Sequence, residues 1–287
     1  MTSPAAYWKH MRMGFQLLLA PLFLWGAALA GIEPGMYAII GFVALHLFLY
    51  PGATAFNGAY DRDEGPVSGL PQPPPPPPRL LEFSLLLQLA GAILAALVGA
   101  AFFLLYALLA LVFAGYSHPA TRWKAKPVAS ALFAALGQGV LGFAAGWAAA
   151  TGALPPLGDA NALGGAVVAA LATVGLYPST QIFQVEEDAR RGDRTLAVAL
   201  GPTGALRLGA LCLLLAGAAA AALLLARQQP LDAALIAAGF AALALSHLLF
   251  APRVARADPP LLYRWATATR LCATAGFLAF AALQLTR

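Results

Sequence analysis

Apolar residues in this chain neither alternate nor form stripes; they come in long blocks. From residue 163 to 178 the run is almost unbroken, and the chain then changes abruptly to QIFQVEEDARRGD at 181–193. Blocks of about 20 apolar residues recur along the whole length, and each can cross ~30 Å of hydrocarbon. They predict membrane spans at 15–31, 35–55, 83–98, 99–115, 128–149, 163–183, 206–226, 233–250 and 266–285. Period-two alternation is absent, which excludes a transmembrane β-barrel. The fold class is therefore an all-α integral membrane protein with nine transmembrane helices.

The division at residues 98 and 99 needs argument, because 80–117 runs apolar with no polar turn, Glu82 near its start apart. One helix of that length would extend roughly 57 Å, too far for a single crossing. Charge parity supports two spans. With nine spans, fifteen of the seventeen Lys and Arg residues, all but Arg227 and Arg287, fall on one face. The positive-inside rule makes that face cytoplasmic and predicts a cytoplasmic N-terminus in a multi-pass cytoplasmic (inner) membrane protein.

Composition agrees. The chain of 287 residues is 61% hydrophobic and 10% charged, with mean hydropathy +0.76, whereas a soluble domain is about 25% charged. The first apolar run follows Lys9 and Arg12 as a signal peptide would, but no small-residue cleavage site is clear and the later spans retain the chain. Cys212 and Cys272 both fall in predicted spans, so no disulfide framework is expected. The loops on the opposite face are short and rich in turn formers. The cytoplasmic loops are longer and polar, and function is expected there. One of them contains PQPPPPPPR (71–79), expected to be a stiff polyproline II spacer or cap.

Two of those loops carry acids. The end of the second span reads FNGAYDRDEGP. Asn57, Asp61 and Glu64 are spaced i, i+4, i+7 and share one face if the helix continues, with Asp63 pointing elsewhere. The end of the sixth span places Gln181, Gln184 and Asp188 at i, i+3, i+7, with Glu187 on the edge of that face. Both clusters lie at cytoplasmic ends, from which they can face each other across a cavity. Carboxylates at membrane depth are costly and usually functional. Oxygen ligands without Cys or His suit hard cations such as Mg²⁺, which combines one or two carboxylates with substrate phosphates. The bland alternative is an acidic helix end solvated at the interface. A third stretch, YSHPATRWKAKP after the fourth span, offers Tyr116 at the membrane and Arg122, Lys124 and Lys126 for phosphate oxygens. His118, before a proline, reads either as a proton carrier or as a local hydrogen-bonding residue.

These pieces, in this order, resemble the UbiA superfamily of intramembrane prenyltransferases. The family's first motif is similar to N-D-x-x-D-x-x-x-D, matched by Asn57 and Asp61. The family's other acidic motif is similar to D-x-x-x-D followed by G-x-K-T-L and Leu-Gly, matched by Gln184 and Asp188, then Gly192, Thr195, Leu196, Leu200 and Gly201. The loop Tyr116 to Lys124 resembles the family's Tyr-Ser-x-Pro-x-x-Arg-x-Lys element. The resemblance implies nine helices around a central cavity, in one domain over residues 1–287. It implies Mg²⁺-dependent transfer of a prenyl group from a prenyl diphosphate to a hydrophobic, often aromatic, acceptor within the membrane lipid. It also implies roles. Asp61 and Asp188 are catalytic; Asn57, Asp61, Glu64, Gln184, Glu187 and Asp188 hold metal. Asn57, Tyr116, Arg122, Lys124, Arg62 and Arg194 contact substrate.

The chain departs from the pattern at Gly58, Gly65 and Gln184, each where the family has Asp, which predicts a divergent branch with an altered metal site. Three further readings stand beside transfer: a terpene cyclase of the same family, a non-catalytic isoprenoid-binding relative, and a cation transporter. The last is disfavoured because the apolar stretches of spans seven to nine lack acids and no inverted repeat is evident. Nucleic acid is not an expected partner.

Overall fold

A computed structural model describes residues 4–32, 35–61 and 63–285. Among these it has nine helices long and apolar enough to span a bilayer. We number them α1 (Pro4–Leu29), α2 (Met36–Asp61), α3 (Leu80–Val98), α4 (Ala100–Ser117), α5 (Pro127–Thr151), α6 (Ala160–Thr180), α7 (Leu196–Ala226), α8 (Pro230–Phe250) and α9 (Pro259–Leu283). A short helix, Val185–Arg191, lies between α6 and α7. No strand occurs among the described residues, only an isolated bridge from Val67 to Leu70.

The predicted division of 80–117 is present. Gly99 has φ 139° and ψ 170° and separates α3 from α4, a conformation open almost only to glycine. Two predicted limits shift in ways that matter. Helix α2 continues past residue 55 to Asp61, which carries Asn57 and Asp61 out on one face. Helix α6 ends at Thr180, not at residue 183, and a turn over 181–184 intervenes before the short helix.

Helix α5 is central and packs on α1, α2, α4 and α6; α6, α7, α8 and α9 follow in sequence, and α9 returns to α1. The α1–α5 crossing is a backbone contact. A Cβ on Gly26 would lie 1.9 Å from the carbonyl oxygen of Phe143, and one on Gly146 would lie 1.9 Å from that of Phe23. Small residues allow such approach in membranes, where helices associate through packing and not through hydrophobic burial. Helices α3 and α8 lie at the periphery. On α3, Leu85, Leu86, Leu89, Ile93 and Leu97 point outward, at the spacing of one lipid-facing side.

Candidate active site

A cavity of about 150 Å³ opens among α1, α2, α4, α5 and α6. Its rim is charged. Asp61 ends α2, and Asp63 follows it. Asp188 comes from the short helix, and Asp193 and Thr195 come from the turn before α7. Lys124 comes from the α4–α5 loop, Arg191 from the short helix and Arg12 from α1. Acids and bases pair across the rim. Lys124, itself buried, forms an ion pair with Asp61. Arg191 donates to Asp63 at 3.0 Å, and Arg12 lies 3.8 Å from the same carboxylate. Burial and the neighbouring Asp61 charge push the Asp63 carboxyl up, against the pull of Arg12, Lys124 and Arg191. Burial raises Asp188 to about 7, although Thr195 donates a hydrogen bond to it at 3.2 Å. Desolvation disfavours the charged form of both carboxyls, and a cation bound between them would favour that form and release any proton they hold.

Asn57 and Asp61 line the cavity together, as their spacing predicted. Asn57 is oriented by its Nδ2–H, which donates to Ser117 Oγ at 3.0 Å. Three parts of the predicted geometry are corrected. Because α2 stops at Asp61, Glu64 does not share its face. Glu64 is exposed, and Asp63, expected to point elsewhere, enters the cavity. Glu187 does not line the cavity either; its two carboxylate oxygens accept the backbone N–H groups of Glu64 at 3.0 Å and Gly65 at 3.1 Å, and Arg191 pairs with it. Gln181, Gln184 and Asp188 do line the cavity, but across a turn and not along one helix. Gln181 is partly committed, since its Oε1 accepts Ala197 N–H at 3.2 Å.

The predicted basic contacts divide in the same way. Lys124 and Tyr116 line the cavity. Arg122 does not; it donates to both oxygens of Asp193, at 2.6 and 2.7 Å, and so secures that loop from behind. Arg194 is exposed away from the cavity. Arg62 lies outside the described residues. Arg12, Asp63, Arg191, Asp193 and Tyr177 are cavity residues that motif spacing does not single out. In the sequence Arg12 and Arg191 read as topology charges, and their pairing across the rim has no local signal. His118 takes the local role, its Nδ1 accepting Ala120 N–H at 3.2 Å.

Two of the motif departures, Gly58 and Gly65, have a packing account. A Cβ on Gly58 would meet Nδ1 of the buried His10 at 2.8 Å, and one on Gly65 would meet Glu187 Oε2 at 2.9 Å. The space that side chains would need at 58 and 65 is held by His10 and Glu187. His10 lies close beneath Pro74 and Pro75. The proline run therefore packs over the start of α1, where Tyr7 donates to Pro78 O. It lines a separate groove that shares Asp63 with the cavity.

Below the rim the cavity becomes apolar and aromatic, lined by Phe15, Leu19, Tyr50, Phe113, Phe133 and Tyr177 among others. Tyr116 stacks on Phe133 with centroids 4.0 Å apart, and its hydroxyl meets that of Tyr177 at 2.9 Å. Two π-helical stretches, Ala44–Leu49 in α2 and Phe133–Leu141 in α5, adjoin this region. Such turns often mark functional sites.

Among the described residues no three His, Cys, Asp or Glu side chains converge closely enough to enclose one metal ion. Asp61, Asp63 and Asp188, with the amides of Asn57 and Gln184, nonetheless form an all-oxygen set on one rim. That set suits Mg²⁺, which needs only one or two carboxylates when substrate phosphates and water complete its shell.

The model of the UbiA prenyltransferase family matches residues 19–283. Among solved structures, a UbiA homolog from Archaeoglobus fulgidus bound to GPP and Mg²⁺ is 21% identical, with a TM-score of 0.65 over 96% of this chain and 99% of that one. The same homolog bound to DMAPP and Mg²⁺ gives 22% identity and a TM-score of 0.63 over 95% and 98%. An apo UbiA homolog from Aeropyrum pernix K1 gives 21% identity and a TM-score of 0.61 over 93% and 98%. These likenesses are of fold. A comparison with curated protein sequences finds no match.

Proposed function

Because the chain belongs to the UbiA prenyltransferase family, we propose that it transfers a prenyl group from a prenyl diphosphate to a hydrophobic acceptor inside the cytoplasmic membrane. The observation that supports this reading is the layout of the cavity: a rim of four carboxylates interleaved with Lys124, Arg191 and Arg12 above an aromatic, apolar body.

The roles follow from the chemistry at each level. Asp61, Asp63 and Asp188, with Asn57 and Gln184, would hold Mg²⁺. Bound there with the diphosphate, Mg²⁺ would offset its charge and stabilise it as a leaving group. Lys124, Arg191 and Arg12 now neutralise the acids; with substrate present they turn to phosphate oxygens, Arg as a planar fork and Lys as a point charge. The allylic C1–O bond breaks and its electron pair leaves with pyrophosphate. The acceptor then bonds to C1 and releases a proton. The faces of Tyr50, Phe113, Tyr116 and Phe133 can stabilise the allylic cation, and the apolar walls keep water from it.

Glu64 and Glu187 have other surroundings and are not assigned to metal in this reading. Arg122 acts by holding Asp193. The N-terminus is assigned to the cytoplasmic side on the distribution of basic residues.

The test is binding of radiolabelled farnesyl and geranylgeranyl diphosphate to the purified protein, in Mg²⁺ and in EDTA, for wild type and Asp61→Asn. Binding that requires Mg²⁺ and is lost in the variant is the expected result. Absence of binding for both diphosphates would overturn the reading.

A further inference from the structure

Two carboxamides line the cavity apart from the charged rim: Gln16 on α1 and Gln138 on α5. Gln16 ends the short helical turn Met13–Gln16 that follows Arg12, whose left-handed backbone (φ 48°) interrupts α1. Thr54 lies on α2 one turn inward of Asn57 and joins Gln16 there.

The orientation of the Gln16 amide is set by its partners. Its Nε2 donates to Met11 O at 2.7 Å and to Thr54 Oγ1 at 3.1 Å. Met11 O is a carbonyl and can only accept, so nitrogen must face it. The oxygen is left over: Gln16 is 1% exposed, and its Oε1 is buried without a hydrogen-bond partner among the described residues. A buried acceptor without a donor is costly, and native structures rarely keep one without a reason. Gln138 is half-buried on the π-helical stretch of α5, and its amide has no partner among the described residues.

We propose that Gln16 and Gln138 form the acceptor subsite, and that the acceptor is an uncharged molecule bearing a hydroxyl, whose O–H donates to Gln16 Oε1. This rests on the prenyl-transfer reading above. A carboxylate or phosphate would meet the lone pairs of Gln16 Oε1, while the cavity-lining cations Arg12, Lys124 and Arg191 are engaged at the rim and Arg270, outside the lining, donates to Ser68 Oγ and Ala266 O and packs on the Phe15 ring. A neutral hydroxyl supplies the donor that Gln16 lacks, and Gln138 can accept from or donate to a second polar group.

The test uses the whole protein in detergent with Mg²⁺ and farnesyl thiolodiphosphate, an analogue that resists ionisation. Binding of 4-hexylphenol, 4-hexylbenzoate and monooleoylglycerol is measured calorimetrically on this complex. The subsite predicts 4-hexylphenol or monooleoylglycerol to bind at least about tenfold more tightly than 4-hexylbenzoate, and whichever binds tells a phenolic from an aliphatic hydroxyl. Gln16→Leu should weaken that binding about tenfold or more. Gln138→Leu, which removes no internal hydrogen bond, provides the second variant and should weaken it several-fold. Equal or tighter binding of 4-hexylbenzoate, or wild-type binding of the hydroxyl probe in both variants, would overturn the subsite. If the analogue binds and no hydroxyl probe does, the subsite alone fails. If the analogue itself does not bind, the prenyl-transfer reading fails first.

Discussion

Glu187 Oε2 accepts the backbone N–H of Gly65 at 3.1 Å, while its Oε1 accepts that of Glu64 at 3.0 Å. One carboxylate from the second acidic stretch thus clamps the loop that follows the first. The clamp keeps Asp63 at the cavity, where Arg191 bridges it to Glu187.

Removing the clamp should loosen that loop. Glu187→Ala leaves two N–H groups without an acceptor, at about 1–3 kcal/mol each where they stay dry. Glu187→Gln keeps one oxygen. Melting temperature in detergent and proteolysis near residues 63–70 should rank wild type, Glu187→Gln and Glu187→Ala in falling stability. Identical melting and cleavage in all three would show that the clamp contributes nothing.

The Asp61–Lys124 ion pair should be a placeholder that substrate separates. Lys124→Met is expected to weaken Mg²⁺-dependent diphosphate binding at least about tenfold, or ~1.4 kcal/mol. Asp61→Asn is expected to remove the Mg²⁺ dependence. Titrations of labelled diphosphate at several Mg²⁺ concentrations read both effects, and an unchanged affinity in Lys124→Met would refute the exchange.

The α1–α5 crossing should not tolerate a methyl group. Gly26→Ala and Gly146→Ala each drive a Cβ into a backbone carbonyl, beyond the ~1–3 kcal/mol typical of overpacking between side chains. Gly276→Ala, with open space around it, is the matched control. Yield and melting temperature should fall sharply in the first two and hold in the third. Intact yield for Gly146→Ala would mean that the helices separate at little cost.

His10 and Gly58 should be coupled. Gly58→Asp restores an acid typical of the family but collides with His10. The single variant should be destabilised, and His10→Ala should relieve it, with a coupling of about 0.5–3 kcal/mol for residues in contact. Additive effects on melting temperature would rule out the packing account of the departure at 58.

Much of this protein was legible in its sequence. Nine spans, the division at Gly99 and the two polar ends at Asn57–Asp61 and Gln184–Asp188 follow from block hydrophobicity and helical spacing, because each depends on neighbours along the chain. The family likewise followed from motif order and is matched over residues 19–283. Tertiary structure decided which polar groups face the cavity and which brace it. Where α2 and α6 stop determines that Asp63 enters and Glu64 does not, and that Glu187 becomes a clamp. The pairing of Lys124 with Asp61, the approach of His10 to Gly58 and the unpaired oxygen of Gln16 likewise have no local signal. Each joins segments far apart in the chain, and periodicity says which side of a helix a residue occupies but not what packs against it.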